Sequence, residues 1–228
     1  WIYIRSSNYA SLPAPGNRVG PADAANMPKI VVSPGGASAL NTQSGAHHYR
    51  LIGIEFRPAA GYFVNNLISI GSSETTVAAL PNNIFFDRCY IHGDPAVGGR
   101  RGIAMNGAAV AIIDSYVSDF KEIGADSQAL WSGNSPGPLK IANNYLEGAA
   151  ENVMFGGADP SITSLVPSDI EIRGNYFFKP LAWIGTSWTV KNLLEFKNAR
   201  RVLVEGNRFE NNWPSAQSGF AILVTPRN

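Results

Sequence analysis

The sequence predicts an all-β fold, a chain wound into stacked coils as a β-solenoid, and three observations predict it. An eight-residue pattern (apolar, any, apolar, any, any, Asn, any, apolar) runs from Ile170 to Phe177 and returns from Val202 to Phe209 and from Leu139 to Leu146. Weaker copies over 110–117, 84–91 and 49–56 place Ser115, Cys89 and Ile54 at the Asn position. Marked at the second apolar residue, the copies fall at 51, 86, 112, 141, 172 and 204, so the steps are 35, 26, 29, 31 and 32 residues. Self-similarity at such a period is the signature of a repeat architecture, and the period-two alternation inside each copy is that of a strand. About six to seven coils follow from the chain length.

The Asn column has a physical cause. Where each coil turns from one strand to the next, an inward amide can bond to turn backbone and to the equivalent residue one coil away. An unmet buried polar group would cost about 1–3 kcal/mol. The preceding residue is Asn143, Gly174 or Gly206 in the three best copies and Asp114 in a fourth, types that tolerate positive φ. Arg88 meets that demand poorly, which implies a different turn there or a strained one.

Taken in order, residues 1–7 read as a strand with Trp1 in the core, and 8–28 as a loop punctuated by Pro13, Pro15, Gly16, Gly20, Pro21 and Pro28, with one helical turn over 23–26. Lys29 to Val32 returns as a short strand, and regular coils begin after His47 and His48. These two neighbours would point to opposite faces of a strand, which argues against joint metal binding. Each coil is expected to add a second strand after the patterned one, at 67–70, 102–105, 127–130, 152–155, 193–196 and 221–224. The loops 71–82, 93–101, 131–138, 156–168 and 180–191 would decorate the edges. The last coil ends at 224–228 with no polar cap, so more protein or another chain is expected to cover it.

These residues carry a family resemblance. Asn-punctuated strands, coils of 26 to 35 residues and the run Asn143 to Gly148 resemble right-handed parallel β-helix repeat proteins, the pectate-lyase-like superfold, over about residues 49–228. More narrowly, 1–7, 87–94, 151–159 and 192–198 resemble secreted bacterial β-helix repeat proteins of unsettled function. The resemblance implies a right-handed parallel β-helix, a secreted protein in an extracellular or periplasmic setting, and polysaccharide as partner. In alginate and dermatan lyases of this superfold a Gly-Gly-Glu-x-Ile-Arg-Ile-Gly strand supplies a calcium-binding Glu and an Arg. Residues 149–156 are similar in outline, with Met154 where the Arg stands and Ala149 and Ala150 for the Gly pair. The characteristic texts of polygalacturonases are absent.

Composition agrees with one solenoid domain over 1–228. Apolar residues make up 45%, enough for a continuous core, while the charged fraction of 15% is low and argues against disorder. A net charge of +1, with 18 basic and 17 acidic residues, gives no reason to expect nucleic acid or an anionic membrane as partner. No run reaches the roughly 18 apolar residues of a membrane span. A single cysteine, Cys89, excludes an internal disulfide and reads as a small buried residue in the Asn column. Because the chain opens on Trp1 inside strand-like text, the expectation is an excised or mature portion of something longer, with flanking domains or end-to-end self-assembly at its ends.

Outward positions on successive coils stack about 4.8 Å apart, so chemistry gathers in columns. The densest group of titratable residues spans 92–152. A functional reading makes Lys121 or Arg101 the base, His92 an acid, and Asp126, Glu147 and Glu151 ligands for Ca²⁺ or an acid/base pair, with Glu151 also catalytic. Arg100, Gln128, Asn152 and Trp131 would bind substrate. The competing reading is that these side chains bond turn backbone and one another. Trp131, Trp183, Trp188 and Trp213 are placed in loops, where each could stack on a sugar or pin its loop to the coil. Three functions therefore stay open: a polysaccharide-cleaving enzyme, lyase before hydrolase; a structural or adhesive surface protein; and a glycan-binding module.

Overall fold

The computed structural model describes residues 1–226 and shows a right-handed parallel β-helix of seven coils. Sheet A stacks Ile2–Arg5, His47–Ile52, Asn82–Asp87, Ala108–Ile113, Leu139–Ala142, Ser168–Arg173 and Arg200–Glu205. Sheet B stacks Lys29–Val32, Glu55–Pro58, Tyr90–His92, Tyr116–Phe120, Tyr145–Gly148, Tyr176–Phe178 and Arg208–Glu210. Sheet C stacks Leu40–Asn41, Asn66–Ile70, Arg101–Met105, Gln128–Ser132, Glu151–Phe155, Leu194–Phe196 and Ile222–Val224. All pairings are parallel, so the chain passes A to B to C and climbs one strand spacing per turn.

The register confirms the repeat. Leu51, Phe86, Ile112, Ile141, Ile172 and Val204 are direct partners along sheet A, and Ile4 precedes them as a seventh rung. Ile4 escapes the fixed period because the first coil carries a long insertion, residues 6–28. One correction concerns strand number: each coil has three strands, not two. The Asn corner is so tight that the strand after it, now sheet B, reads in sequence as the tail of the patterned strand.

At that corner Gly53, Arg88, Asp114, Asn143, Gly174 and Gly206 all have φ between 50° and 64°. Arg88 therefore makes the same turn as its neighbours, in a left-handed conformation. Its side chain is held by Asp87 at 2.8 Å, by the Pro13 carbonyl at 2.9 Å and by the Tyr9 hydroxyl at 3.1 Å. The inward column behaves as its chemistry demands. Asn207 Oδ1 accepts from the Asn175 backbone and amide, Asn175 Oδ1 from those of Asn144, and Asn144 Oδ1 from the Ser115 backbone. Ser115 Oγ then accepts from the Cys89 backbone at 3.0 Å. Cys89 is fully buried, and desolvation pushes its thiol up to about 12, which agrees with a packing role.

The insertion is a strap. Past the helical turn Pro21–Asn26 it returns to sheet B, but before that it climbs the A/B corner. Gly16 N donates to Asp114 Oδ2 and Val19 N to the Asp114 carbonyl, while Arg18 reaches the carbonyls of Asn143 and Gly174. Leu12, Val19 and Met27 pack beneath it against Tyr9, Tyr90 and Tyr116. Coils of a solenoid otherwise contact only their neighbours, so this strap ties the first coil to the sixth.

The main core runs continuously from Val32 to Leu194 through columns of Ile, Leu, Val and Phe. Trp1 is not part of it: the residue is 54% exposed and its ring lies against Phe85 and His48. The end coils leave Ile2, Ile4, Ile222 and Val224 exposed; the expected uncapped end extends to Arg227 and Asn228, which lie outside the described residues. Among the described residues no helix is long and apolar enough to cross a membrane.

Candidate functional site

The sequence-predicted residues meet most closely on the outer face of sheet C. A bulge explains how they come to face outward. Asn152 N and Val153 N share the Leu193 carbonyl, and Leu193 N and Leu194 N share the Ala221 carbonyl, so two consecutive residues point inward on each coil. Leu67 with Ile68, Ala129 with Leu130, and Leu193 with Leu194 all enter the core. The flanking positions then turn outward as two columns. One is Asn66, Arg101, Gln128 and Glu151; the other is Asn41, Ser69, Ala104, Trp131 and Met154.

The first column is a chain of bonds. Arg101 Nε donates to Gln128 Oε1 at 3.0 Å, and Gln128 Nε2 donates to Glu151 Oε2 at 2.7 Å. The Arg101 guanidinium lies 4.3 Å from the centre of the Trp131 ring, whose Nε1 donates to the Gly156 carbonyl. Trp131 is thus a strand residue rather than a loop one, fixed in orientation and half-buried. Below it, on coils 1 and 2, the same face opens into a groove of about 460 Å³ lined by polar groups that include Ser38, Asn41, Asn65, Asn66 and Ser69, with Tyr62 on its wall. A larger cleft of about 520 Å³ lies beyond Gly156, between Asp159, Ser164 and Lys197.

Glu151 ends the chain of bonds and is fully buried, with Oε1 lacking any partner among the described residues. Burial raises its carboxyl well above the usual range, the nearby Asp126 adds to this, and the Gln128 bond opposes it. The loop after Phe178 covers it. Lys191 of that loop pairs with Asp126 at 2.5 Å, and Trp183 and Val190 pack with Ala149, with Trp188 and Trp213 against them. These three tryptophans pin loops to the coil.

The remaining expected residues are dispersed. Arg100 clamps Glu122 with two bonds of 2.6 Å. Lys121 is buried, donating to the Pro95 carbonyl at 2.8 Å and lying 5.6 and 5.3 Å from the rings of Trp183 and Trp188. Asn152 points inward and staples the Leu146 and Phe178 carbonyls. His92 lies on sheet B, against Glu55 and stacked on Tyr90. The expected metal set is not drawn together: Asp126 holds Lys191, Glu147 accepts from Tyr145 Oη and Asp119 N, and Glu151 accepts from Gln128. Among the described residues no three of His, Cys, Asp and Glu form a group able to hold a metal ion.

Sequence reasoning missed Asn66, Ser69 and Lys191 as members of this face, and missed what Lys179 does. The Lys179 ammonium is fully buried and donates to the carbonyls of Gly148, Ala149 and Ala150 at 2.6, 2.7 and 3.2 Å. Burial lowers its pKa, while Glu151 and Glu147 hold it up. Only the shape of coil stacking brings these atoms together, so no local signal could have found them.

Glu147 gives a pH prediction. Burial, with Asp119 adding, raises its carboxyl to about 7 from 4.5. The folded protein then keeps a proton that the unfolded chain has lost, so this stabilisation is full below about 4.5 and disappears as pH rises towards 7. It amounts to about 3 kcal/mol. Denaturation midpoints of the wild type should therefore fall relative to those of Glu147→Gln between pH 4.5 and 7; parallel profiles would refute the assignment.

The fold and this face define a β-helix whose sheet C carries a polar groove on coils 1 and 2 and, further along, the Arg101–Trp131 stack. No family model matches the chain, and no curated protein matches it. Among solved structures, the crystal structure of the Dettilon tailspike protein is similar over 87% of this chain and 60% of that one, at 10% identity and a TM-score of 0.27. The chain thus spans less than two thirds of that tailspike chain.

Proposed function

We propose that this protein binds an extended, acidic polysaccharide along the outer face of sheet C. The observation that carries the reading is the Arg101–Trp131 stack, half-buried and in line with the polar groove of coils 1 and 2. A guanidinium already aligned by Gln128 is suited to a sugar carboxylate, and a fixed indole offers a flat apolar surface to a sugar ring. The amides and hydroxyls of Asn41, Asn66 and Ser69 suit sugar hydroxyls. Coils rise about 4.8 Å each, close to the length of one sugar residue, so a glycan aligned with the helix axis would meet equivalent positions in turn. Such a ligand fits the secreted setting that the resemblance implies.

Calorimetric titration against uronate-containing and neutral polysaccharides tests this. Trp131→Ala and Arg101→Ala are each expected to weaken binding about tenfold, or about 1.4 kcal/mol, with the fold intact. Unchanged affinity in both variants would exclude this face.

One observation favours cleavage as a second reading: the buried Glu151 carboxyl, with an oxygen free of partners, adjoins Gln128 at the end of the chain of bonds. If the loop after Phe178 opened, the ionised Glu151 could take the C5 proton beside a uronate carboxylate held by Arg101 while the C4–O glycosidic bond breaks and the departing oxygen takes a proton from water, leaving an unsaturated sugar end by β-elimination. Lyase action would appear as ultraviolet-absorbing product, assayed with and without Ca²⁺, and would vanish in Glu151→Gln. Reducing ends without unsaturation would indicate hydrolysis, and no product from a glycan-binding sample would leave binding alone.

A further inference from the structure

Adjacent residues of a regular strand face opposite ways, yet the rings of His47 and His48 meet. His48 has φ of 63°, and this turns its ring beside that of His47, Nδ1 to Nδ1 at 2.9 Å with the ring planes at 89°. The conformation is imposed by the fold rather than by the pair. The same position on other coils is left-handed at Asn83 (55°), Ala109 (51°), Asp169 (55°) and Arg201 (53°), a column of bulges along the start of sheet A. Trp1 packs edge-on against His48 at 5.0 Å and limits its movement. Two imidazole nitrogens are therefore held close together before any ligand arrives.

Their separation has chemical meaning. Metal–imidazole bonds of about 2.0–2.1 Å meeting at a right angle put the two nitrogens about 2.9 Å apart, whereas a tetrahedral angle needs about 3.3 Å. Right-angled pairs belong to tetragonal and octahedral ions, Cu²⁺ and Ni²⁺ before Zn²⁺. Among the described residues neither Nε2 has a protein partner. Without metal the 2.9 Å contact is a hydrogen bond in which one Nδ1–H donates to the other Nδ1; on metal binding the donor ring moves its proton to Nε2, so both rings offer an Nδ1 lone pair while remaining neutral.

We propose that His47 and His48 form a two-nitrogen site for Cu²⁺ or Ni²⁺ on the outer edge of the second coil, with water completing the coordination. The site lies on sheet A and is separate from the outer face of sheet C. The ring placement departs from the expectation that these neighbours face opposite ways, because that expectation assumed regular strand geometry.

The test is titration of tag-free protein with NiCl₂, CuSO₄ and ZnCl₂, followed by calorimetry and, for the first two, by visible absorbance. One equivalent of Ni²⁺ should bind, and His47→Gln and His48→Asn should each weaken it at least tenfold; Asn tolerates positive φ, so the second variant keeps the bulge. The chain has 3 histidines, and His92→Ala, the control, should bind as the wild type does. Binding that survives either site variant, that falls equally in His92→Ala, or that favours Zn²⁺ over Ni²⁺ tenfold would overturn the proposal.

Discussion

Asn175→Ala is expected to destabilise the protein by about 2–4 kcal/mol, although the residue touches no candidate ligand. Its side chain is almost fully buried and makes four bonds: Oδ1 accepts from the Asn144 backbone and amide at 2.9 and 3.0 Å, and Nδ2 donates to the Ile141 carbonyl at 2.8 Å and to Asn207 Oδ1 at 2.9 Å. Alanine removes both acceptor and donor, leaving the Asn144 N–H unpaired in the core and the Ile141 carbonyl short of one donor. Each stranded group costs about 1–3 kcal/mol. Ser115 indicates the graded outcome. Its hydroxyl accepts from the Cys89 backbone at 3.0 Å but cannot also reach across the corner as an amide does. Asn175→Ser should therefore recover about half of the loss. Denaturant unfolding gives the energies, and hydrogen exchange at Asn144 shows where the loss falls. A cost under about 1 kcal/mol for Asn175→Ala would mean that the ladder aligns the coils without stabilising them.

That ladder was legible because its cause is local and recurs. Asn144, Asn175 and Asn207 occupy one position of a pattern that sequence alone displays, and the register stacks them as read. The limits of legibility have equally specific causes. Ile4 belongs to the same column, but a strap of some twenty residues separates it from Leu51. Glu151, Gln128 and Arg101 were identifiable as polar residues near strand starts; their alignment depends on a bulge that turns two consecutive residues inward on each coil. Expected catalytic residues dispersed for one physical reason. In a solenoid, sequence proximity puts residues on the same coil, whereas contact needs the same face, and His92 on sheet B and Arg101 on sheet C are nine residues and one corner apart. The strap is the converse case. Arg18 gives no sign in sequence that its partners are Asn143 and Gly174, since both lie where coil stacking, not spacing, places them.

Lys179 shows how far that principle reaches, and its removal should be the most damaging single change. The ammonium sits on coil 6 and caps three carbonyls of the sharp corner between sheets B and C on coil 5. Three acceptors require three N–H donors, so the geometry calls for the charged form, which Glu147 and Glu151 favour once they are ionised. Lys179→Met keeps the length and the packing but leaves the Gly148 and Ala150 carbonyls without this donor, while Ala149 retains the Lys191 N–H. Two buried carbonyls left without this donor cost about 1–3 kcal/mol each, about 2–6 kcal/mol together, which for a chain of this size lowers Tm by about 10 °C. If the carboxyl of Glu151 is part of that cost, adding Glu151→Gln should restore a measurable fraction, because no carboxylate is then left without its cation. A strictly additive double variant would assign the whole loss to the corner carbonyls. In that case Lys179 is a cap for the turn, and Glu151 titrates independently of it beside the sheet C face. Should the double variant recover stability, the two form one buried unit, and any chemistry at Glu151 is tied to the lysine that holds the corner closed.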